Sequence, residues 1–352
     1  MPRISVLLPV RDARPFLAEA VSSIQAQSAR DFELLLLYSP SSDGSRAVLE
    51  DMAARDRRLV LMDVAGSNLA ACLNEGLRAA RGELIARMDA DDVARPERFA
   101  RQAAVFAARP ELGVLGSAVR YIDAAGRKGR TIRQPRGLDI ERAFYRGCPF
   151  THSSVMMRRA VLEMCGGYRE LFTLAEDYDL WLRLHGMTIM DNLPETLLHY
   201  RLHAANSVKA RALEGRRYAF FAQAAWLARR QGLADPLENL ASLPEPASLP
   251  LPEKEMDALY GRILAGSAHL LGDARDDPEG HVWWPRVAAI ADKAERKKSM
   301  ALCRLRCARF YARRDMVRCL RHGLAALLTS PGLVAGCGFR ILRQLFQHNA
   351  GG

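Results

Sequence analysis

Residues 4–10 form a short, nearly continuous apolar run, Ile4-Ser5-Val6-Leu7-Leu8-Pro9-Val10, the pattern of a parallel strand covered on both faces. Phe16, Leu17, Ala20, Val21 and Ile24 then recur at helical spacing behind Pro15, a residue suited to a helix's first turn. The alternation continues, with strands predicted over 32–38, 59–63 and 84–88 and helices over 46–55 and 69–80. Successive strand-helix-strand units imply an α/β fold with a parallel, doubly wound sheet. Ligands of such sheets collect at the carboxyl ends of the strands, and there the fourth strand runs directly into Asp89-Ala90-Asp91-Asp92.

A further helix is predicted over 96–108 and a strand over 114–122, while 148–208 mixes short strands with a strongly helical stretch at 175–184. Beyond 208 the pattern is mostly helical, interrupted at 242–253 where Pro244, Pro246, Pro250 and Pro252 forbid a continuous helix. Two domains are therefore expected, 1–208 and 209–352, which suits a chain of 352 residues.

Charge divides the chain differently. Lys and Arg number 51 against 40 Asp and Glu, and the segment 286–343 alone holds 14 basic and 3 acidic residues, an excess equal to the net +11 of the whole. The neutral body argues against nucleic acid as a partner and sets 286–348 apart as a basic tail. Leu302, Leu305, Phe310, Leu320, Leu324 and Phe346 interleave with its charges, a pattern of amphipathic helices that suits either a solvated bundle or peripheral binding to an anionic membrane surface. Seven cysteines with no C-x-x-C pair read as reduced thiols, and the first residues lack a signal peptide's apolar stretch. The expected location is cytoplasmic, with a peripheral association at the inner face of the cell membrane as the alternative.

Alternate residues of an extended segment point to one side, so Asp89 and Asp91 can face one site. Two close carboxylates repel unless a cation lies between them, and oxygen ligands suit Mg²⁺ or Mn²⁺. An isolated D-x-D is also the pattern of a solvated acidic turn. The stretch Arg81-Gly82-Glu83-Leu84-Ile85-Ala86-Arg87-Met88-Asp89-Ala90-Asp91-Asp92, the opening Ser5-Val6-Leu7-Leu8-Pro9-Val10 and the later Ala175-Glu176-Asp177-Tyr178-Asp179-Leu180-Trp181-Leu182-Arg183 together closely resemble glycosyltransferase family 2. Leu73-Asn74-Glu75-Gly76, the segment 148–168 with His152 and Gly166-Gly167-Tyr168, and Tyr200-Arg201-Leu202-His203 match as well, so the resemblance covers about residues 3–208. The wording is similar to the branch that builds bacterial exopolysaccharides and surface glycans.

The resemblance implies a GT-A fold, a mostly parallel Rossmann-like sheet with helices on both faces, and an inverting transfer of sugar from a nucleotide-diphosphate donor to a glycan or lipid-linked acceptor. It implies that Asp91 binds a divalent Mn²⁺ or Mg²⁺ on the donor diphosphate, with Asp89 assisting or touching the ribose. Asp177 matches the general base; read alone, it is equally an exposed acid favoured by a helix dipole. His203 matches a residue that completes the metal shell in some relatives, with a structurally packed loop histidine as the alternative. Pro9, Ser39, Asp43, Asn74 and Asp89 are the matching nucleotide-side positions, and His152 is placed to contact acceptor or phosphate, or to serve the core.

The sequence departs from the family where the base is read. Tyr38-Ser39-Pro40-Ser41-Ser42-Asp43 stands where two acids and a glycine are usual, and Arg11-Asp12 replaces an aromatic-Asn pair. A catalytically silent GT-A protein that binds nucleotide or glycan and serves as an assembly partner is the rival reading. No Q-x-x-R-W element is present, which argues against a processive synthase.

Overall fold

The structure is a computed structural model that describes residues 2–66, 68–203, 212–256 and 258–259. The basic tail at 286–348, with its expected amphipathic helices and membrane contact, lies outside the described residues. The chain divides into two compact units, Met1–Ala210 with Leu240–Ser242, and Arg211–Asn239 with Leu243–Gly352.

The first unit opens with β1 (Ile4–Val10), α1 (Arg14–Gln25), β2 (Phe32–Tyr38), α2 (Ser45–Arg55), β3 (Leu59–Asp63), α3 (Leu69–Ala79) and β4 (Leu84–Arg87). Strands β1 to β4 are parallel neighbours in the order β3-β2-β1-β4. Both faces of β1, β2 and β4 are covered, and for that reason they read as nearly continuous apolar runs, whereas β3 at the edge is only partly buried. Val6, Leu8, Leu34 and Leu36 face a core with Leu17, Val21 and Ile24 of α1 and with Phe99, Ala103 and Phe106 of α4 (Arg98–Ala108). Leu7 and Leu37 point to the opposite face, where α3 approaches so closely that a Cβ on Gly76 would lie 2.6 Å from Leu37 Cδ1. Each fully buried leucine here contributes about 1.5–3 kcal/mol of transfer free energy.

The chain order reverses at β1, which has β2 on one side and β4 on the other. Pairing of β1 with β4 ends at Leu7↔Arg87, whereas pairing with β2 continues through Pro9↔Leu37 to Val10↔Tyr38. Pro9 therefore sits where the neighbour has already diverged and its missing N–H leaves no ladder bond unmade. This divergence opens the crevice in which α/β sheets bind ligands. Asp12, next to it, adopts a left-handed φ of 49°, a conformation Asp and Asn tolerate better than most residues, so the Asp in place of the family's Asn keeps the turn.

Beyond β4 the sheet is mixed. The order continues β4-β8-β6-β9-β5, using β5 (Val93–Ala94), β6 (Leu112–Asp123), β8 (Met156–Arg158) and β9 (Ile189–Leu202), with β7 (Lys128–Ile132) on β6. β8 runs antiparallel to both its neighbours, while β6 and β9 are parallel. Between these strands lie α5 (Asp139–Phe144), α6 (Arg159–Met164) and α7 (Glu176–Leu184).

Of the second unit the structure describes α8 (Ala212–Arg230), which buries Phe220, Phe221 and Trp226, and the stretch through residue 259. In the proline-rich stretch the regular element is a single 3-10 turn, Pro246–Ser248. Among the described residues no helix is long and apolar enough to cross a membrane.

Candidate active site

The turn that follows β4 carries Asp89, Asp91 and Asp92, and one carboxylate oxygen from each lies within 4.8 Å of the others. Three arginines build this turn. Arg98, fully buried on α4, donates to the carbonyls of Arg87 (2.8 Å) and Val155 (3.1 Å) and fixes the end of the strand. Arg201, fully buried on β9, donates its backbone N–H to Asp92 Oδ1 at 2.8 Å, its Nε to the Asp91 carbonyl at 2.7 Å and its Nη2 to Glu19 at 2.6 Å. Arg87 pairs with Asp89, which also accepts from the Ser153 hydroxyl.

Burial raises the Asp91 carboxyl above its ordinary range and the charge on Asp89 adds to this, despite a 2.8 Å bond from His203 Nε2. The same two causes raise Asp92 further, and its Oδ2 is buried without a hydrogen-bond partner. An orphaned carboxylate oxygen beside two others is a donor set that fits a hard divalent cation. Asp92, which the alternation argument left aside, therefore joins Asp89 and Asp91 as a candidate ligand. His203 meets Asp91 through Nε2, and its ring packs against Phe16 in a tilted contact at 4.8 Å between centroids.

Asp177 stands at the start of α7, half-buried rather than an exposed surface acid. Ala175, just before the helix, takes a left-handed φ of 58°, a strained conformation for alanine that turns the chain sharply into the site. Asp177 Oδ1 accepts from Tyr178 N at 2.7 Å, and the Cys148 thiol lies 3.6 Å from Oδ2. Burial raises the Asp177 carboxyl, opposed by the Tyr178 hydrogen bond and then by the charge on Arg87. Its neighbour Glu176 is more deeply buried, and desolvation followed by the Asp177 charge pushes it up to about 8. His152 lies 3.7 Å from Glu176 through Nδ1 and 2.9 Å from the Tyr168 hydroxyl through Nε2. Burial, and secondarily Arg87, holds its pKa well below the usual imidazole value. Both shifts favour the neutral forms of Glu176 and His152, and His152 belongs to this inner network.

The nucleotide-side positions divide. Pro9 lines the divergence of β1 from β4, and Ser39, half-buried at the end of β2, donates its N–H to the Val10 carbonyl at 2.9 Å. Asp43 accepts from Arg14 N, Ser41 Oγ, Ser45 N and Ser45 Oγ at 2.8–3.1 Å, which fills a carboxylate's four acceptor sites and ties α1 to α2. What desolvation there is works against its charge, but these bonds hold it at about 2. Asn74 is likewise engaged within the fold: its Oδ1 accepts from Tyr168 N (2.9 Å) and its Nδ2 donates to the Tyr168 carbonyl (2.9 Å). Gly167 allows this clamp, because its φ is +70° and a Cβ there would lie 2.7 Å from Asn74 Oδ1. Tyr38, in place of the family's acid, is buried and bonds through its hydroxyl to Ser41 N and O at 3.1 and 3.0 Å.

A sheet crossed over at β1, an acidic turn after β4 and a second acid on a separate helix define a nucleotide-sugar transferase fold of the GT-A type. The solved structures agree on the fold. Staphylococcus aureus TarS 1–349 in complex with UDP-GlcNAc superposes with a TM-score of 0.56 at 16% identity, over 93% of this chain and 90% of that one. The mannosyltransferase PcManGT from Pyrobaculum calidifontis, in complex with GDP-Man and Mn²⁺, gives 0.52 at 18%, over 92% and 87%. Residues 5–166 match the model of glycosyl transferase family 2. The amylovoran biosynthesis glycosyltransferase AmsE of Erwinia amylovora is 31% identical over 188 residues, 53% of this chain and 70% of AmsE. EpsE of Bacillus subtilis is 33% identical over 186 residues, 52% of this chain and 66% of EpsE. The chain belongs to glycosyl transferase family 2.

Proposed function

We propose that the protein transfers one sugar from a nucleotide-diphosphate donor to a glycan or lipid-linked acceptor in the building of a surface polysaccharide. The observation that carries this is the carboxylate trio at the carboxyl end of β4, with its orphaned Asp92 oxygen, in a chain of this family. Asp89, Asp91 and Asp92 would hold a divalent cation, Mn²⁺ or Mg²⁺, and His203 stands beside Asp91 to join them. The cation, when bound, neutralises charge that grows on the departing diphosphate. Asp177 accepts the proton of the acceptor hydroxyl as its oxygen bonds to the anomeric carbon. The carbon–oxygen bond to the diphosphate breaks on the opposite face, and the bonding pair leaves with the diphosphate. One displacement inverts the configuration. The assembly-partner reading loses ground because Tyr38 is a core residue that staples its own loop, so the departure at 38–40 leaves both acidic centres intact.

The experiment is calorimetry of UDP and GDP with and without Mn²⁺, followed by transfer assays with the nucleotide that binds. Asp91→Asn should abolish the metal-dependent part of nucleotide binding. Asp177→Asn should leave binding within a few-fold and cut turnover by about 10²–10⁴. Metal-dependent affinity that survives Asp91→Asn, or transfer at near wild-type rate by Asp177→Asn, refutes these assignments.

A further inference from the structure

Arg87 is the last residue of β4 and only 2% exposed. Its Nη1 meets Asp89 and the Ser153 hydroxyl (2.8 Å), and its Nε is buried with no partner. A buried guanidinium used merely to brace a fold would have its donors satisfied, as Arg98 does on backbone carbonyls. Arg87 instead sits under-bonded among groups of both halves of the site. Ser153 follows His152 in the turn His152–Ser154, and His152 leads through Glu176 to Asp177. The charge on Arg87 acts on Glu176, Asp177, Tyr168 and His152, while its contact is with Asp89.

We propose that Arg87 is a positioning residue shared by both halves of the site: its guanidinium fixes the Asp89 carboxylate against Ser153, and through Ser153 it stands beside the His152–Glu176 pair that adjoins Asp177. The proposal rests on the sugar-transfer reading for the roles of those two carboxylates. During transfer, Asp177 gains a proton and loses its charge while the diphosphate gains charge as the bonding pair departs. A fixed cation in the field of both steadies the ionised base at the start and the leaving group at the end, and it need not move between them. Cys148, from the loop after α5, touches Asp177, and the other groups that act on it electrostatically are Glu176 on its own helix, Tyr168 from the loop before α7, and Arg87 and Asp89 from β4 and its turn. Of these Arg87 alone is cationic, and its charge opposes the burial that raises the Asp177 carboxyl.

The test needs no substrate. Protein labelled with ¹³C at aspartate carboxyls is titrated by NMR without metal, the Asp177 signal being assigned through Asp177→Asn. In Arg87→Met the Asp177 midpoint should rise by roughly half a pH unit or more, and in Arg87→Lys, which keeps the charge, it should return towards wild type. Calorimetry with UDP or GDP and Mn²⁺ should show several-fold weaker binding in both variants, because a lysine ammonium cannot span Asp89 and Ser153 as a planar guanidinium does. Arg87→Gln, which keeps hydrogen-bonding capacity without charge, must raise the midpoint too and serves if the methionine variant fails to fold. A midpoint that stays put in the uncharged variants, or that lysine does not restore, reduces Arg87 to a packing residue and overturns the proposal. If the wild-type protein transfers no sugar, the function reading fails, while the titration still decides whether Arg87 governs Asp177.

Discussion

Glu176 offers a direct measurement of how the acceptor half of the site is poised. Its side chain is buried beside Asp177 and His152, and its carboxyl is raised from 4.5 to about 8, first by desolvation and then by the Asp177 charge. In the unfolded chain the same carboxyl ionises near its ordinary value. Between those two values the folded state therefore binds the extra proton, so stability falls as pH rises through the window and levels off above about 8. Each pH unit within it costs the fold about 1.4 kcal/mol. Glu176→Gln replaces the protonated carboxyl with a neutral group of the same shape and removes this dependence. Relative to the variant, the wild type should lose about 3–4 kcal/mol between pH 5 and pH 8, a urea midpoint difference of roughly 1–2 M. The assay is urea denaturation of both proteins followed by circular dichroism at several pH values. Subtracting one curve from the other cancels the titrations of groups remote from Glu176, and His152→Asn and Asp177→Asn backgrounds separate the contributions of the two neighbours that touch it. Parallel curves across this range would show that Glu176 is ionised in the folded protein and refute the neutral-pair argument.

Asn74→Ala removes the acceptor for Tyr168 N and the donor to its carbonyl, and should lower stability by about 2–3 kcal/mol while reducing turnover, read by denaturation and by transfer assay. Ser39→Asp should raise affinity for UDP relative to GDP, since an acid at the end of β2 can accept from a uracil N–H; an unchanged nucleotide ranking in calorimetry shows that position 39 does not read the base. The full-length chain should co-sediment with anionic but not neutral liposomes, and more weakly as salt rises, whereas a version ending before Trp283 should not; equal sedimentation of the two assigns the basic tail another task.

The first half of the fold was legible because its central strands are buried on both faces and its helices on one, and even the partly exposed edge strand β3 keeps the apolar run Leu59–Met62. β1, β2 and β3 fall at the predicted residues, since a strand such as Phe32–Tyr38 that is buried at every position leaves an unbroken apolar run. The later strands left weaker marks. β8 is three residues long, too short for any periodicity, and its antiparallel insertion makes the sheet mixed. β9 extends over 14 residues but carries Asp191, Asn192, Glu195, Thr196, His199 and Arg201, because parts of it bond to loops and to the acidic turn. The acidic turn and Asp177 were visible as motifs. The tasks of Asp43 and Asn74 were not, since short-range spacing cannot show that Asn74 reaches 94 residues ahead to Tyr168. Arg87 was in plain view inside a quoted stretch, yet an arginine at a strand end reads as a surface residue until burial is known.

The two halves of the site differ in how their charge is managed, and that difference argues for chemistry over passive binding. On the acceptor side the excess charge is already resolved. Burial favours the protonated Glu176 and the neutral His152, and the Arg87 charge opposes the burial that raises the Asp177 carboxyl. That leaves Asp177 as a raised carboxyl with a single cation, Arg87, acting to keep it ionised, an environment suited to a group that takes up a proton. On the donor side the charge is unresolved: three carboxylates converge within 4.8 Å, and the Asp92 oxygen has no donor. Such a trio destabilises the fold until a cation enters, so part of the binding energy of a metal and its diphosphate goes into relieving that repulsion. A protein that only held a nucleotide would need the unresolved half alone. The compensated half, with a strained Ala175 leading into the helix that carries Asp177, supports the proposed role of Asp177 in taking a proton.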